Sequence, residues 1–279
     1  MEQLYNSVSF KISKLVTRTY STSFSIAVSF LDHEMQNAIY SIYGFVRFAD
    51  EIVDSFENCD KKQLLEKFEK DYYEAFNNSV SLNPILHAFQ HVVKKYKIPD
   101  EFIQAFLSSM KVDLYKNEFR NKEEIDAYIY GSADVVGLMC LKVFTNGNEE
   151  LFSELKFPAM KLGSAFQKVN FLRDLKNDME NLDRQYFPDV RKDNFNESIK
   201  NDIIQDIQND FSLSFIGIKR LPNNAKLPVL IAFIYYKQLL KKIKYTPAKK
   251  LLNTRIRVSD SQKILLLVKA FLTCKFRLV

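Results

Sequence analysis

Four side chains in the stretch 34–56 are spaced for chemistry. Tyr43, Arg47, Asp50 and Asp54 follow one another at intervals of four, three and four. At about 100° per residue they form one stripe on a helix. Around them lie Phe45, Val46, Phe48, Ala49, Ile52 and Val53, which makes the helix a largely buried one. Two carboxylates at i and i+4 repel each other, and desolvation adds to that cost. A divalent cation relieves both, and carboxylate oxygens suit Mg²⁺. A single Asp-x-x-x-Asp reads more simply as a solvated acidic face. A second stripe shifts that balance. In the stretch 158–180, Gln167, Asn170, Asp174 and Asp178 recur at intervals of three, four and four, with Arg173 alongside. If the two helices face each other across a bundle core, Asp50, Asp54, Asn170, Asp174 and Asp178 can hold Mg²⁺ ions bridged by a diphosphate. Arg47 and Arg173 are then its charge partners.

Helices must position both stripes, and helical periodicity runs through most of the chain. It predicts helices over 34–56, 61–76, 85–96, 100–117 with Asp100 as N-cap, 123–144, 158–180 with Pro158 in the first turn, 198–219, 224–243 and 259–275. Gly131 and Gly137 mark places of close backbone approach. The 279 residues hold only 6 Gly and 7 Pro, too few for a turn-rich sheet or a glycine-rich nucleotide loop. With 47% apolar residues the chain can bury a large core. No linker or repeat divides it, so the expectation is one all-α domain over residues 1–279.

Other features narrow the setting. Cys59, Cys140 and Cys274 lie far apart, which implies neither a disulfide framework nor a zinc site and fits a reducing cytoplasm. The net charge of +6 favours an anionic ligand or membrane surface and falls short of a nucleic-acid footprint. The N-terminal stretch has no signal-peptide pattern. The run Ile264–Val268 is too short to span a bilayer. A soluble or peripheral protein is expected.

The segment Tyr20-Ser-Thr-Ser-Phe24 through Asp50-Glu-Ile-Val-Asp54 resembles the first signature of the squalene/phytoene synthase family of head-to-head prenyltransferases. Gln167-Lys-Val-Asn-Phe-Leu-Arg-Asp-Leu-Lys-Asn-Asp178, with Arg184-Gln-Tyr-Phe-Pro188 after it, resembles the second. Tyr130-Gly-Ser-Ala-Asp-Val-Val-Gly137 is similar to the tyrosine-and-glycine segment that lines the family's pocket. The resemblance implies an isoprenoid-synthase-type helical bundle with a central apolar cavity. It also implies that two prenyl diphosphates join as a cyclopropyl diphosphate, which then ionises and rearranges. The implied catalytic set is Asp50, Asp54, Asp174, Asp178, Tyr43 and Arg47. Substrate contacts fall to Ser21, Ser23, Phe24, Tyr130, Gln167, Arg173, Arg184 and Tyr186. Mg²⁺, with Mn²⁺ as a substitute, is the implied cofactor. The apolar helix faces and the 24 Phe and 14 Tyr residues would keep water from a carbocation, and aromatic faces would stabilise it.

Two departures stand out: Thr22 replaces a basic residue of some bacterial relatives, and Asp134 replaces a common Gly, placing an extra carboxylate near the pocket. By resemblance the expected product is phytoene, from two geranylgeranyl diphosphates and without NADPH. The C-terminal membrane anchor of eukaryotic squalene synthases is not expected here.

Rival readings remain open. A farnesyl-using squalene or dehydrosqualene synthase fits the same motifs. A non-catalytic relative serving as a binding or assembly factor is another class, opposed by the four retained aspartates. Elongating prenyltransferases and terpene cyclases are disfavoured because Glu51 breaks their adjacent-aspartate pattern. His87 and His91 share a helix face as zinc ligands can, with no third ligand evident. Tyr236 is a further pocket candidate. The basic segment 237–257, with Arg255, Arg257 and then Lys263, suits diphosphate, anionic lipid head groups or plain solvation. Oligomeric state is open.

Overall fold

A computed structural model describes residues 2–276 except 189 and 192. Among these residues the fold is helical, and the isolated bridge Glu118–Gln185 is the one trace of strand pairing. The chain opens with α1 (Glu2–Tyr20), α2 (Thr22–Val28) and α3 (His33–Asp54). It continues through α4 (Lys61–Asn78), α5 (Pro84–Tyr96), α6 (Asp100–Val112) and α7 (Lys122–Ile129). A π-helical turn, Tyr130–Asp134, joins α7 to α8 (Val135–Thr145). Then come α9 (Glu149–Glu180), α10 (Glu197–Arg220), α11 (Asn223–Tyr245), α12 (Ala248–Leu251) and α13 (Asp260–Lys275).

Start signals act as the sequence leads one to expect, with exceptions. The side chains of Asp32, Asp60, Asn83, Asn121, Asn148 and Asn196 accept first-turn N–H bonds, satisfying donors that a helix cannot. Asp100 is not a cap: Pro99 takes that position and Asp100 is the first helical residue. Helix α6 also stops at Val112, short of residue 117.

The largest departure is α9. It begins at Glu149, so Pro158 lies inside it rather than in its first turn. An interior proline removes a hydrogen bond and crowds the preceding turn. The tight α9–α10 crossing accommodates it, because a Cβ at Gly217 would overlap the Pro158 ring. Gly131 also meets its expectation. A Cβ there would lie 2.6 Å from the Ala105 carbonyl oxygen, so only glycine lets the π turn seat on α6.

Two hydrophobic clusters divide the interior. One is built around Phe45, Phe89, Phe106 and Leu138, the other around Phe171, Leu172, Phe211 and Leu239. Between them the helices form a ring: α3 packs on α8, α8 on α9, α9 on α11, α11 on α2, and α2 on α3. Helices α3 and α9 therefore occupy opposite sides of the ring. The continuous stretch Lys122–Thr145 is long and apolar enough to cross a membrane, but more than half of its most apolar window is buried inside the bundle.

Candidate active site

The inward faces of α3 and α9 carry the two stripes. Tyr43, Arg47, Asp50 and Asp54 are all half-buried, as are Gln167, Asn170, Arg173 and Asp174; Asp178 is buried. These side chains are neither sealed nor fully exposed, and the charge of Asp54 bears on Asp178, which sets the two stripes against each other.

Arg184 ties the stripes together. Its Nη1 donates to Asp54 Oδ1 at 2.7 Å and its Nη2 to the Asp113 carbonyl at 3.2 Å, while its own side chain is buried. The segment after α9 is bent to bring it there. Asp183 adopts the left-handed conformation, Arg184 N donates to the Asp178 carbonyl at 2.7 Å, and Gln185 N donates to Asn117 O at 2.7 Å. Tyr186 is locked beside it by stacking on Phe171 with ring centroids 3.9 Å apart.

Each acidic pair also has its own arginines. Arg47 donates to Asp50 at 2.8 Å and bonds Glu51, and its guanidinium lies 4.3 Å from the Tyr20 ring centroid. Arg173 Nε donates to both Asp174 oxygens at 3.0 and 3.1 Å, and Arg255 Nε reaches Asp174 Oδ1 at 2.7 Å. The basic segment before α13 thus sends Arg255 into this site.

Even so, the carboxylates are not fully neutralised. Burial, then the charge of Asp54, pushes Asp50 up to about 6. Burial, then Asp174, pushes Asp178 up to about 7. Each value measures the cost of gathering negative charge where little water solvates it. The hydroxyl of Tyr43, raised to about 12 chiefly by burial, is bonded to Ser21.

Aromatic pairs flank the stripes: Phe24 stacks on Tyr43 at 5.3 Å, and Phe166 on Tyr236 at 4.0 Å. Tyr236 donates to Asn170 Oδ1 at 3.2 Å. Ser23 is half-buried on α2 beside Phe24, and Thr22 is exposed at the start of that helix.

Tyr130 opens the π turn, is half-buried and packs against the first hydrophobic cluster. Asp134 faces Lys161, Lys168 and Asp210 at the α9–α10 contact. The His87–His91 pair is a packing feature: His87 Nε2 is bonded to Asn6 at 2.6 Å, and the two rings meet edge to face at 4.8 Å. Among the described residues no group of three His, Cys, Asp or Glu converges on a metal-sized gap there or in the ring.

Asp113 carried no motif signal. Asp113 is buried, accepts from Tyr128 OH at 2.8 Å and is pushed by burial up to about 7, against the pull of Arg184. Its backbone contact with Arg184, 71 residues along the chain, and the charges of Asp54 and Asp50 join it to the site.

The donor set fits a hard divalent ion. Mg²⁺ is held through one or two carboxylates together with waters and substrate phosphates rather than by an all-protein cage. Asp50, Asp54, Asn170, Asp174 and Asp178 are the residues available to it.

Known proteins agree with this architecture. The squalene/phytoene synthase family model matches residues 17–262. The chain is 26% identical to the 15-cis-phytoene synthase of Synechocystis, over 94% of this chain and 84% of that protein. It is 26% identical to the 4,4'-diapophytoene synthase of Staphylococcus haemolyticus, over 70% and 67%. A dehydrosqualene synthase crystal structure superposes with a TM-score of 0.84 at 21% identity, covering 98% of this chain and 99% of that one. The squalene synthase of Alicyclobacillus acidocaldarius gives 0.76 at 20%, covering 88% and 97%. These structures share the isoprenoid-synthase helical fold. Because the family model spans both acidic stripes and the ring that opposes them, the chain belongs to the squalene/phytoene synthase family of prenyltransferases.

Proposed function

We propose that this chain joins two geranylgeranyl diphosphates head to head, through a cyclopropyl diphosphate, to give phytoene. The observation that carries the reading is the Arg184–Asp54 bond at 2.7 Å. It draws the segment after α9 onto α3, so both acidic stripes address one recess. Asp50, Asp54, Asn170, Asp174 and Asp178 would hold Mg²⁺, or Mn²⁺ in its place. The ion's contribution is to neutralise charge on the departing diphosphate and lower the barrier to allylic ionisation.

The chain's own residues do the rest. Arg47, Arg173, Arg184 and Arg255 are paired with carboxylates in ways that phosphate oxygens can take over, since guanidinium serves either partner in the same bidentate manner. Tyr43 lies on α3 and Tyr236 on α11, and the charge of Tyr236 bears on Tyr43, so both polar-tipped aromatics would be available to the reacting centre. Phe24 and Phe166, stacked on them, present π faces to positive charge, worth roughly 0.5–2 kcal/mol each. The two hydrophobic clusters keep bulk water out, and a carbocation needs that exclusion.

A second reading draws on the Staphylococcus haemolyticus relative and on the dehydrosqualene synthase fold neighbour: two farnesyl diphosphates as substrates. Incubation with each diphosphate, with and without NADPH, followed by mass analysis of the products, separates the two. A C40 hydrocarbon formed without NADPH is the expected result. A C30 product alone would transfer the assignment to the farnesyl reading, and no hydrocarbon from either would defeat both.

A further inference from the structure

The C-terminal helix α13 is turned the wrong way round for a soluble bundle. Ala270 is its one buried residue, whereas Ile264, Leu265, Val268, Phe271, Leu272 and Phe276 are each between 45% and 69% exposed. On a helical wheel the five within α13 fall in one arc of about 120°, interrupted only at the two ends of the helix by Ser261 and Lys275, and Phe276, just past the C-terminus, extends it. Isolated exposed apolar residues are ordinary, but a contiguous outward stripe marks a contact surface. The side of α13 opposite the stripe packs on α11, so the stripe cannot be the buried face of this bundle.

Charge says what covers it. Asp260 is the helix's only acid and is paired with Lys263 at 2.9 Å. Lys269 is exposed at the edge of the stripe, and Lys275 is exposed within it at its C-terminal end. Where α13 begins, a recess of about 430 Å³ opens at the end of α11, lined by Lys241, Lys242, Lys250, Arg255 and Arg257 and by no acidic residue. The backbone is fixed there by Lys242 Nζ, which donates to Arg257 O at 2.9 Å. An apolar helical stripe with lysines at its edge and end and a cationic recess at its start is the chemistry of an interfacial helix. Such a helix buries its apolar face among acyl chains while its cations meet anionic head groups.

We propose that α13 and the basic recess form a docking surface for an anionic lipid bilayer, on which the protein sits peripherally. Arg255 belongs to both this recess and the aspartate site, so the surface opens beside the place where diphosphates would bind. The inference stands on exposure and charge and is independent of the prenyl-transfer reading.

Vesicle co-sedimentation of the full chain tests it. The protein is mixed with vesicles of phosphatidylglycerol and phosphatidylcholine, or of phosphatidylcholine alone, at low and high salt. The expected result is pelleting with the anionic vesicles, reversed by salt. Leu265→Asp with Phe271→Asp should lower partitioning at least tenfold, and Lys250→Gln or Arg257→Gln by about fivefold each. Both apolar positions are on the surface, so unchanged circular dichroism accompanies the loss. Equal pelleting of wild type and variants overturns the proposal. So does a dimer in analytical ultracentrifugation that Leu265→Asp converts to monomer while vesicle binding is absent, because the stripe is then covered by a second copy.

Discussion

Helix α9 carries buried charge on two sides, and the two sides are handled differently. Toward α10, Lys168 donates to Asp206 and Asp210 at 2.5 and 2.7 Å. Ser164 donates to Asp210 at 2.9 Å, and Lys161 adds a second cation at 3.4 Å. With Lys122 3.8 Å from Asp206, three lysines meet two aspartates, and each is paired. Toward α3, six carboxylates (Asp50, Glu51, Asp54, Asp113, Asp174 and Asp178) share four guanidiniums. The first arrangement closes its own account and acts as a structural clasp. The second is left with surplus negative charge, and its Asp50 and Asp178 are held above the usual carboxylate range by that surplus and by burial. Buried charge balanced within the chain holds helices together, whereas buried charge left unbalanced calls for a ligand of opposite sign.

If that contrast is right, the two sides fail differently. The largest effect is expected at the unbalanced side. Asp50→Ala or Asp174→Ala should cut diphosphate release with added Mg²⁺ by about a hundred- to a thousandfold, while the helical circular dichroism signal and Tm stay within a few degrees of wild type. Turnover near the wild-type rate in both variants would remove the catalytic assignment. The balanced side should show the reverse. Asp210→Ala leaves Lys168 with one carboxylate and Ser164 without its acceptor, a loss of about 3 kcal/mol. Tm should fall by roughly 6–12 °C, with turnover measured well below that Tm changing only a few-fold. A variant that kept its Tm but lost turnover would erase the distinction between the sides.

The same contrast explains what the amino-acid order reveals. The unbalanced stripes were legible because each is local: three- and four-residue intervals place Asp50 with Asp54, and Asp174 with Asp178, on one helix face before any fold is known. The clasp was not. Lys168 and Asp210 are 42 residues apart and Ser164 and Asp210 are 46, and no periodicity encodes a contact between helices. Asp113 was missed for the same reason.

Local patterns can also mislead. Helix α1 escaped notice because it buries Ser9, Ser13 and Thr17 rather than an apolar stripe; the Ser13 and Thr17 hydroxyls return to carbonyls four residues back, at 3.2 and 2.9 Å. That satisfies small polar groups inside a tight contact, at the expense of the hydrophobic signal. Pro158 truncated the predicted α9 because its tolerance depends on Gly217, which lies on another helix. The fold class, the helices over most of the chain and the two rows of aspartates were written locally. The partners of those aspartates were not.

The smallest expected effect lies at the one flaw in the balanced side. Asp134 is buried, and its Oδ1 has no hydrogen-bond partner. Burial pushes it up to about 7, opposed by Lys161 and aided by Asp210. A carboxyl whose proton is held more tightly in the folded chain than in the unfolded one stabilises at low pH, and the contribution is lost as pH climbs from about 4 to about 7. Asp134→Asn removes that dependence because its amide stays neutral. Relative to wild type the variant should therefore gain stability across this window and level off above it, reaching an advantage of roughly 1–2 kcal/mol at pH 8. Denaturant midpoints at pH 4.5, 6 and 8 measure the trend. An advantage that shrinks with rising pH would mean that Lys161 and Lys168 hold a charged Asp134, so the clasp would carry a third bonded carboxylate. The α9–α10 side would then hold three carboxylates against three lysines, and Asp134 would belong to the bonded clasp rather than stand as its flaw.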